Sequence, residues 1–124
     1  MVLAIDFDGV ISEYTTWKGK GNFGTPIAGC AEAIKKLKEA GHTIIIYTTR
    51  LEIHQVKEYL ESYNILFDYI NHNPEDSRRM LHPNKMNADV YIDDKAVTFK
   101  GDWVEVADRI IEFKPWWRID DKAE

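Results

Sequence analysis

The sequence predicts an α/β fold, a three-layer sandwich in which helices cover both faces of a central parallel sheet. Three observations predict it. Four short apolar runs, Val2–Phe7, Thr43–Tyr47, Leu66–Ile70 and Ala88–Ile92, alternate with segments of helical period. The first runs are apolar at nearly every position, as strands buried on both faces require, rather than at alternate positions. The chain has 124 residues, 44% hydrophobic and 30% charged, which suits one domain with a modest core and leaves little room for a second.

Taken in order, Val2–Phe7 is a central strand that ends in Asp8-Gly9. A polar, glycine-bearing stretch at about residues 10–25, including Trp17, Lys18 and Lys20, reads as a loop or flap. Thr25-Pro26 predicts the start of a helix, threonine as N-cap and proline in the first turn, with Ile27, Cys30, Ala31, Ile34 and Leu37 as its apolar stripe and Gly41 at its end. The strand Thr43–Tyr47 leads into Thr48-Thr49-Arg50, and a helix from about Glu52 to Tyr63 follows, with Ile53, Val56, Tyr59 and Leu60 on one side. Leu66–Ile70 is a third strand. Pro74 and Pro83 punctuate a polar segment with one short helix near Glu75–Leu81, before the strand Ala88–Ile92 and its terminal Asp93-Asp94. Val97–Phe99 is a candidate edge strand. Asp102 and Glu105 have the spacing of a reciprocal helix cap, and Trp103, Val104, Ala107, Ile110 and Ile111 form the apolar face of the last helix, which Pro115 stops. The domain is assigned to residues 1–114, and residues 115–124 are read as a tail in which Trp116 and Trp117 fold back on the core or make a subunit contact.

Composition narrows the function classes. Acids outnumber bases by 21 to 16, a net charge of -5, which opposes a broad grip on nucleic-acid phosphates but not contact with one terminal phosphate. No run approaches the roughly 20 apolar residues needed to cross a bilayer. Cys30 is the single cysteine, so a cytoplasmic protein without an internal disulfide is expected. The histidines lack a helical i, i+4 pairing, which argues against a zinc site.

Chemistry in such sheets collects at the carboxyl ends of strands. Asp6 and Asp8 lie two apart on an extended chain, so their side chains can project to one side, and Gly9 allows a sharp turn just beyond them. Asp93-Asp94 and Thr48 terminate two other strands. Four converging carboxylates, Asp6, Asp8, Asp93 and Asp94, would repel one another without a cation, and Mg²⁺ suits an all-oxygen donor set that leaves room for a phosphate. Arg50 beside Thr48 is read as a planar fork for phosphate or an acidic substituent, or else as the cap of the following helix or a surface ion pair.

Asp6-Phe7-Asp8-Gly9-Val10-Ile11 after an N-terminal apolar strand resembles the first motif of the haloacid dehalogenase superfamily, in its phosphatase branch. Thr48 is similar to the second motif, Lys85 is placed like the third, and Ile92-Asp93-Asp94 resembles the fourth. The resemblance implies a Rossmann-like catalytic domain and a Mg²⁺-dependent phosphomonoester hydrolase. Asp6 would be the nucleophile that forms an aspartyl-phosphate, and Asp8 the acid and base. Thr48 would bind a phosphoryl oxygen, Lys85 would offset charge, Thr49 and Arg50 would contact substrate, and the four aspartates would hold the metal. Lys85 is preferred to Lys95 and Lys100 because the family's lysine precedes the last acidic motif.

The intervals Ile11–Thr25 and Asn71–Asn87 are too short for a folded cap, so a capless member is expected, open to bulky substrates or closed by a neighbouring subunit of a homo-oligomer. A small phosphorylated metabolite, such as a nucleotide or sugar phosphate, is the expected substrate. Lys18, Lys20, Arg78, Arg79 and His82 leave a nucleic-acid end as an alternative. A receiver-like phospho-switch, with Asp68 as the nearest acid to its third strand, and a metal-dependent nuclease are the rivals from other classes.

Overall fold

The computed structural model describes residues 1–76 and 84–118. It contains the elements β1 (Val2–Asp6), α1 (Cys30–Glu39), β2 (Thr43–Tyr47), α2 (Ile53–Ser62), β3 (Tyr69–Ile70), β4 (Val90–Ile92) and α3 (Trp103–Ile111). The four strands form one all-parallel sheet in the order β3-β2-β1-β4, so the chain is an α/β protein. β1 lies between β2 and β4, with Leu3 opposite both Ile44 and Val90 and Ile5 opposite both Ile46 and Ile92. Among the described residues no helix is long and apolar enough to cross a membrane. The short helix expected near Glu75–Leu81, together with Arg78, Arg79 and His82, falls largely or wholly outside the described residues, as do residues 119–124.

Strand periodicity divides the buried positions between the two faces of the sheet. Leu3, Ile5, Phe7, Ile44 and Ile46 share one face and join Ile34 of α1 and Val56, Tyr59 and Leu60 of α2 in the main core. Ala4 and Ile45, opposite each other in the register, are buried on the other face. The rings of Phe7, Phe23 and Tyr59 meet edge to face, with centroids 5.1–5.4 Å apart. This triad ties the end of the central strand to α2 and to the loop beyond β1.

Several boundaries differ from expectation for local reasons. Thr25-Pro26 does not open α1. Residues at the neck of the 10–25 loop pair across it instead: Glu13 N–H donates to Thr25 O, Ile27 N–H donates to Ile11 O, and Ser12 bridges Pro26. The helix begins after Gly29, whose φ of 83° the chain adopts most easily without a side chain. Gly24 is also required by space, since a Cβ there would lie 2.2 Å from Glu13 O.

The strands β3 and β4 are shorter than their apolar runs because an aspartate side chain takes the place of strand pairing at the start of each. Asp68 donates its N–H to Ile44 O and accepts the Ile44 N–H on Oδ2, both at 2.8 Å. Asp89 does the same with Val2, at 2.8 and 2.7 Å. Residues 97–99 form no strand. In α3, Asp102 caps the helix by accepting from Val104 N and Glu105 N, but Glu105 turns to Arg109 at 3.0 Å rather than back to the cap. The apolar face of α3 points to solvent, and Val106 is its buried residue.

Phe7→Ala removes a fully buried ring from the triad, and a loss of about 3–5 kcal/mol in urea unfolding is expected. A loss below about 1 kcal/mol would show that the triad does not anchor the sheet end.

Candidate functional site

The carboxyl ends of β1, β2 and β4 open into a cavity of about 470 Å³. Asp6 ends β1, Asp8 follows it, Thr48, Thr49 and Arg50 follow β2, and Asp93, Asp94 and Lys95 follow β4; all of them line the cavity. Because the strands are parallel and in register, residues 87 positions apart arrive at the same edge.

Asp6, Asp93 and Asp94 each offer a carboxylate oxygen, and these oxygens lie within 4.8 Å of one another. Burial, with the neighbouring Asp94 and Asp93 carboxylates, pushes the Asp6 carboxyl up to about 8, against a lowering contribution from the Phe7 N–H that binds Oδ1 at 2.8 Å. Asp93 accepts from the Tyr47 hydroxyl on Oδ2 and from the Lys95 N–H on Oδ1. Burial, followed by the Asp93 carboxylate, raises the Tyr47 phenol above its usual range, so it remains a donor. Asp94 accepts the Trp117 indole N–H on Oδ2, while its buried Oδ1 has no hydrogen-bond partner. Three acids crowded together with an unpartnered buried oxygen form an electrostatically strained set that an added cation would relieve.

Asp8 stands outside that set. Arg50 holds it with two bonds, Nε to Oδ2 at 2.7 Å and Nη2 to Oδ1 at 3.0 Å. Arg50 is 5% exposed; its guanidinium lies 4.8 Å from the Trp17 ring and 4.5 Å from the Phe23 ring, and also donates to Asn22 O. Arg50 is thus neither a surface ion pair nor a helix cap: it is buried and paired with Asp8. The fork fixes the orientation of Asp8 and pins the flap residues Trp17 and Asn22 over it.

Thr48 is clamped through its backbone: its N–H donates to Asn71 Oδ1 at 2.8 Å, and its carbonyl accepts from Asn71 Nδ2 at 3.2 Å. Its hydroxyl oxygen accepts the Arg50 N–H at 3.1 Å. Lys85 is not brought to the cavity. Its ammonium sits 4.7 Å over the Tyr91 ring, in an adjoining groove along β4 that shares Tyr47 and Asp93 with the cavity. Lys95, directly after the acid pair, lines the cavity instead, near the rings of Tyr14 and Trp117. Lys20 and Trp17 of the flap line it as well.

Tyr47, Asn71 and Trp117 carry no motif, and sequence reasoning did not place them at the site. Tyr47 could have been found from its place beside Thr48 at a strand end. Trp117 could not, since the contact joins residues 23 apart through α3 and the turn that follows. Residues 115–118 pass over the first loop, where Trp116 Nε1 donates to Gly9 O at 2.7 Å and the Trp117 ring meets Tyr14 edge to face.

No family model matches the chain, and no curated protein matches it. A solved structure from Bacteroides thetaiotaomicron, described as that of a conserved protein coded by locus, is similar with a TM-score of 0.63 and 27% identity, covering 90% of each chain. The likeness extends over nearly the whole described α/β fold, and the description names no activity.

Gly9 has φ of +82°, and a Cβ there would lie 2.3 Å from Asp94 Oδ2 and 2.8 Å from Trp117 Nε1. Gly9→Ala is therefore expected to cost at least about 1–2 kcal/mol in urea unfolding, from the left-handed backbone alone. It should also shift tryptophan emission as the indole is displaced. Wild-type stability and emission in this variant would contradict the packing of the three residues.

Proposed function

We propose that this chain is a Mg²⁺-dependent phosphomonoester hydrolase of the haloacid dehalogenase type, capless and Rossmann-like, acting in the cytoplasm on a small phosphorylated metabolite such as a nucleotide or sugar phosphate. The observation that carries the reading is the Asp6, Asp93, Asp94 set, three carboxylates within 4.8 Å of one another beside the first-motif residue Asp8. The donor set fits the ion: it is all oxygen, it is crowded enough to push Asp6 up to about 8, and it has one buried oxygen left unpartnered. Asp6, Asp93 and Asp94 would hold Mg²⁺, which when bound supplies charge compensation and polarises a phosphoryl oxygen.

The protein's own residues have the following roles in this reading. Asp6 attacks phosphorus, a bond forms from its carboxylate oxygen, and the bond to the leaving oxygen breaks. Asp8, once it exchanges one of its two Arg50 bonds for a proton, gives that proton to the leaving oxygen, then takes one from the water that cleaves the aspartyl-phosphate and regenerates Asp6. Arg50 orients Asp8 through its two bonds, a positioning role. The Thr48 hydroxyl, its oxygen already accepting the Arg50 N–H, has its proton free for a phosphoryl oxygen. Lys95 takes the charge-offsetting role that the motif spacing suggested for Lys85, and Thr49, exposed at the cavity, is a substrate contact.

The receiver-like alternative finds less support. Asp68, the acid it would need after the third strand, precedes β3 and is engaged by Lys38 at 2.7 Å and by the Ile44 N–H. A polynucleotide end remains the alternative substrate of the same chemistry.

Two experiments test the proposal. Purified protein with Mg²⁺ should release phosphate from an aryl phosphate, and Asp6→Asn should reduce the rate by at least about a thousandfold. A panel of phosphorylated metabolites and a 5′- or 3′-phosphorylated oligonucleotide identifies the substrate, and oligonucleotide cleavage without phosphate release would favour a nuclease.

The second experiment follows unfolding against pH. The folded Asp6 carboxyl lies above its usual 3.8, so in metal-free protein its stabilising contribution is complete below about pH 4 and is lost as pH rises through about 8. Mg²⁺ should thus raise the thermal midpoint more at pH 8 than at pH 5, and Asp6→Asn should abolish that difference. Equal stabilisation at both pH values would sink the metal assignment.

A further inference from the structure

We propose that the outward face of α3 is a homodimer interface, on which a second copy of the chain packs its own α3 antiparallel about a two-fold axis. The helix is inverted in its amphipathicity. Its charged residues Glu105 and Arg109 pair with each other, and Arg109 Nη2 reaches back to Thr98 O at 3.2 Å. The apolar residues Trp103, Val104, Ala107, Ile110 and Ile111, at the i, i+1, i+4, i+7 and i+8 spacing of one helix face, are all exposed. Trp103 is 73% exposed, Val104 74%, Ile110 57% and Ile111 82%. Phe99, 52% exposed, extends the stripe, its ring 5.1 Å from that of Trp103.

The area and the shape of the stripe favour a second copy over other occupants. Phe99, Trp103, Val104, Ile110 and Ile111 leave on the order of 700 Å² open, more than the roughly 300–600 Å² of the largest apolar patch on a typical monomer and close to the about 800 Å² per partner of a standard interface. The stripe is also self-complementary. Large side chains stand at both ends and the small Ala107 at the centre, so an antiparallel copy would set Trp103 and Val104 of one protomer against Ile111 and Ile110 of the other while the helix centres approach closely. Glu105 and Arg109 lie off the stripe and pair with each other, and Asp108 stands exposed at its edge.

Sedimentation velocity or light scattering on wild-type protein at tens to hundreds of micromolar should give twice the monomer mass. Ala107→Arg, at the centre of the stripe, and Ile111→Asp, at its end, should each give the monomer mass with an unchanged far-ultraviolet circular dichroism spectrum. Both positions are exposed, so neither change disturbs the monomer core. A monomeric wild type would overturn the proposal, whether the face is then covered by another protein or by residues of the same chain. A dimer that persists in both variants would place the interface elsewhere and overturn it equally. The outcome does not depend on the proposed hydrolase activity, since no residue of the stripe lines the carboxylate cavity.

Discussion

The meeting of Asp6, Asp93 and Asp94 at one edge of the sheet is the constraint on which the rest of the site depends. Like charges this close cannot all be ionised without compensation, and the surroundings answer in two ways. Hydrogen-bond donors from distant parts of the chain reach in: the Phe7 and Lys95 backbone N–H groups, the Tyr47 hydroxyl and the Trp117 indole. Even so, the Asp6 carboxyl is held far above its usual range and one Asp94 oxygen stays without a partner. Donors of this kind orient carboxylates but bring no full positive charge, which is the deficit a divalent cation would fill.

Such crowding is sustainable because the scaffold beneath it is rigid. β1 is flanked on both sides by parallel strands, and its Leu3, Ile5 and Phe7 are buried in the main core. The Phe7, Phe23 and Tyr59 rings lock the end of this strand to α2 and to the flap, so Asp6 and Asp8, either side of Phe7, inherit a fixed direction. The neck of the flap is closed by backbone bonds at Glu13 and Ile27, and Arg50 ties the flap to Asp8. The flap, the acid and the loop after β2 are therefore one mechanical unit.

The two ends of the molecule differ in how well they are packed. The β2 side is closed by α1 and α2, whereas α3 buries Val106 and turns its apolar stripe outward. That open stripe is the ground for the homodimer interface proposed above.

Much of this was legible in the residues. Apolar runs marked the four parallel strands, of which β1 and β2 are buried and β4 is exposed at the edge of the sheet, the 3.6-residue stripes marked α1 and α2, and Asp102 with its place before an apolar run marked the cap of α3. The strand ends with Asp6, Asp8, Thr48 and Asp93-Asp94 marked the cavity, because a parallel sheet brings all its carboxyl ends to one edge whatever the loops do. What the sequence left open required contacts between residues far apart. Asp68 and Asp89 shorten their strands only because Ile44 and Val2 lie beside them in the register. Thr25-Pro26 reads as a helix start until residues 11–13 are seen to pair with it. Lys95 and Lys20 line the cavity and Lys85 does not, and Trp117 reaches Asp94, for the same reason: motif spacing measures distance along the chain, while a long side chain's reach depends on where neighbouring loops cross. Local pattern thus determined the class of fold and the acids of the site, and tertiary structure alone decided their partners, since a hydrogen bond or ion pair has no signature in either sequence segment taken singly.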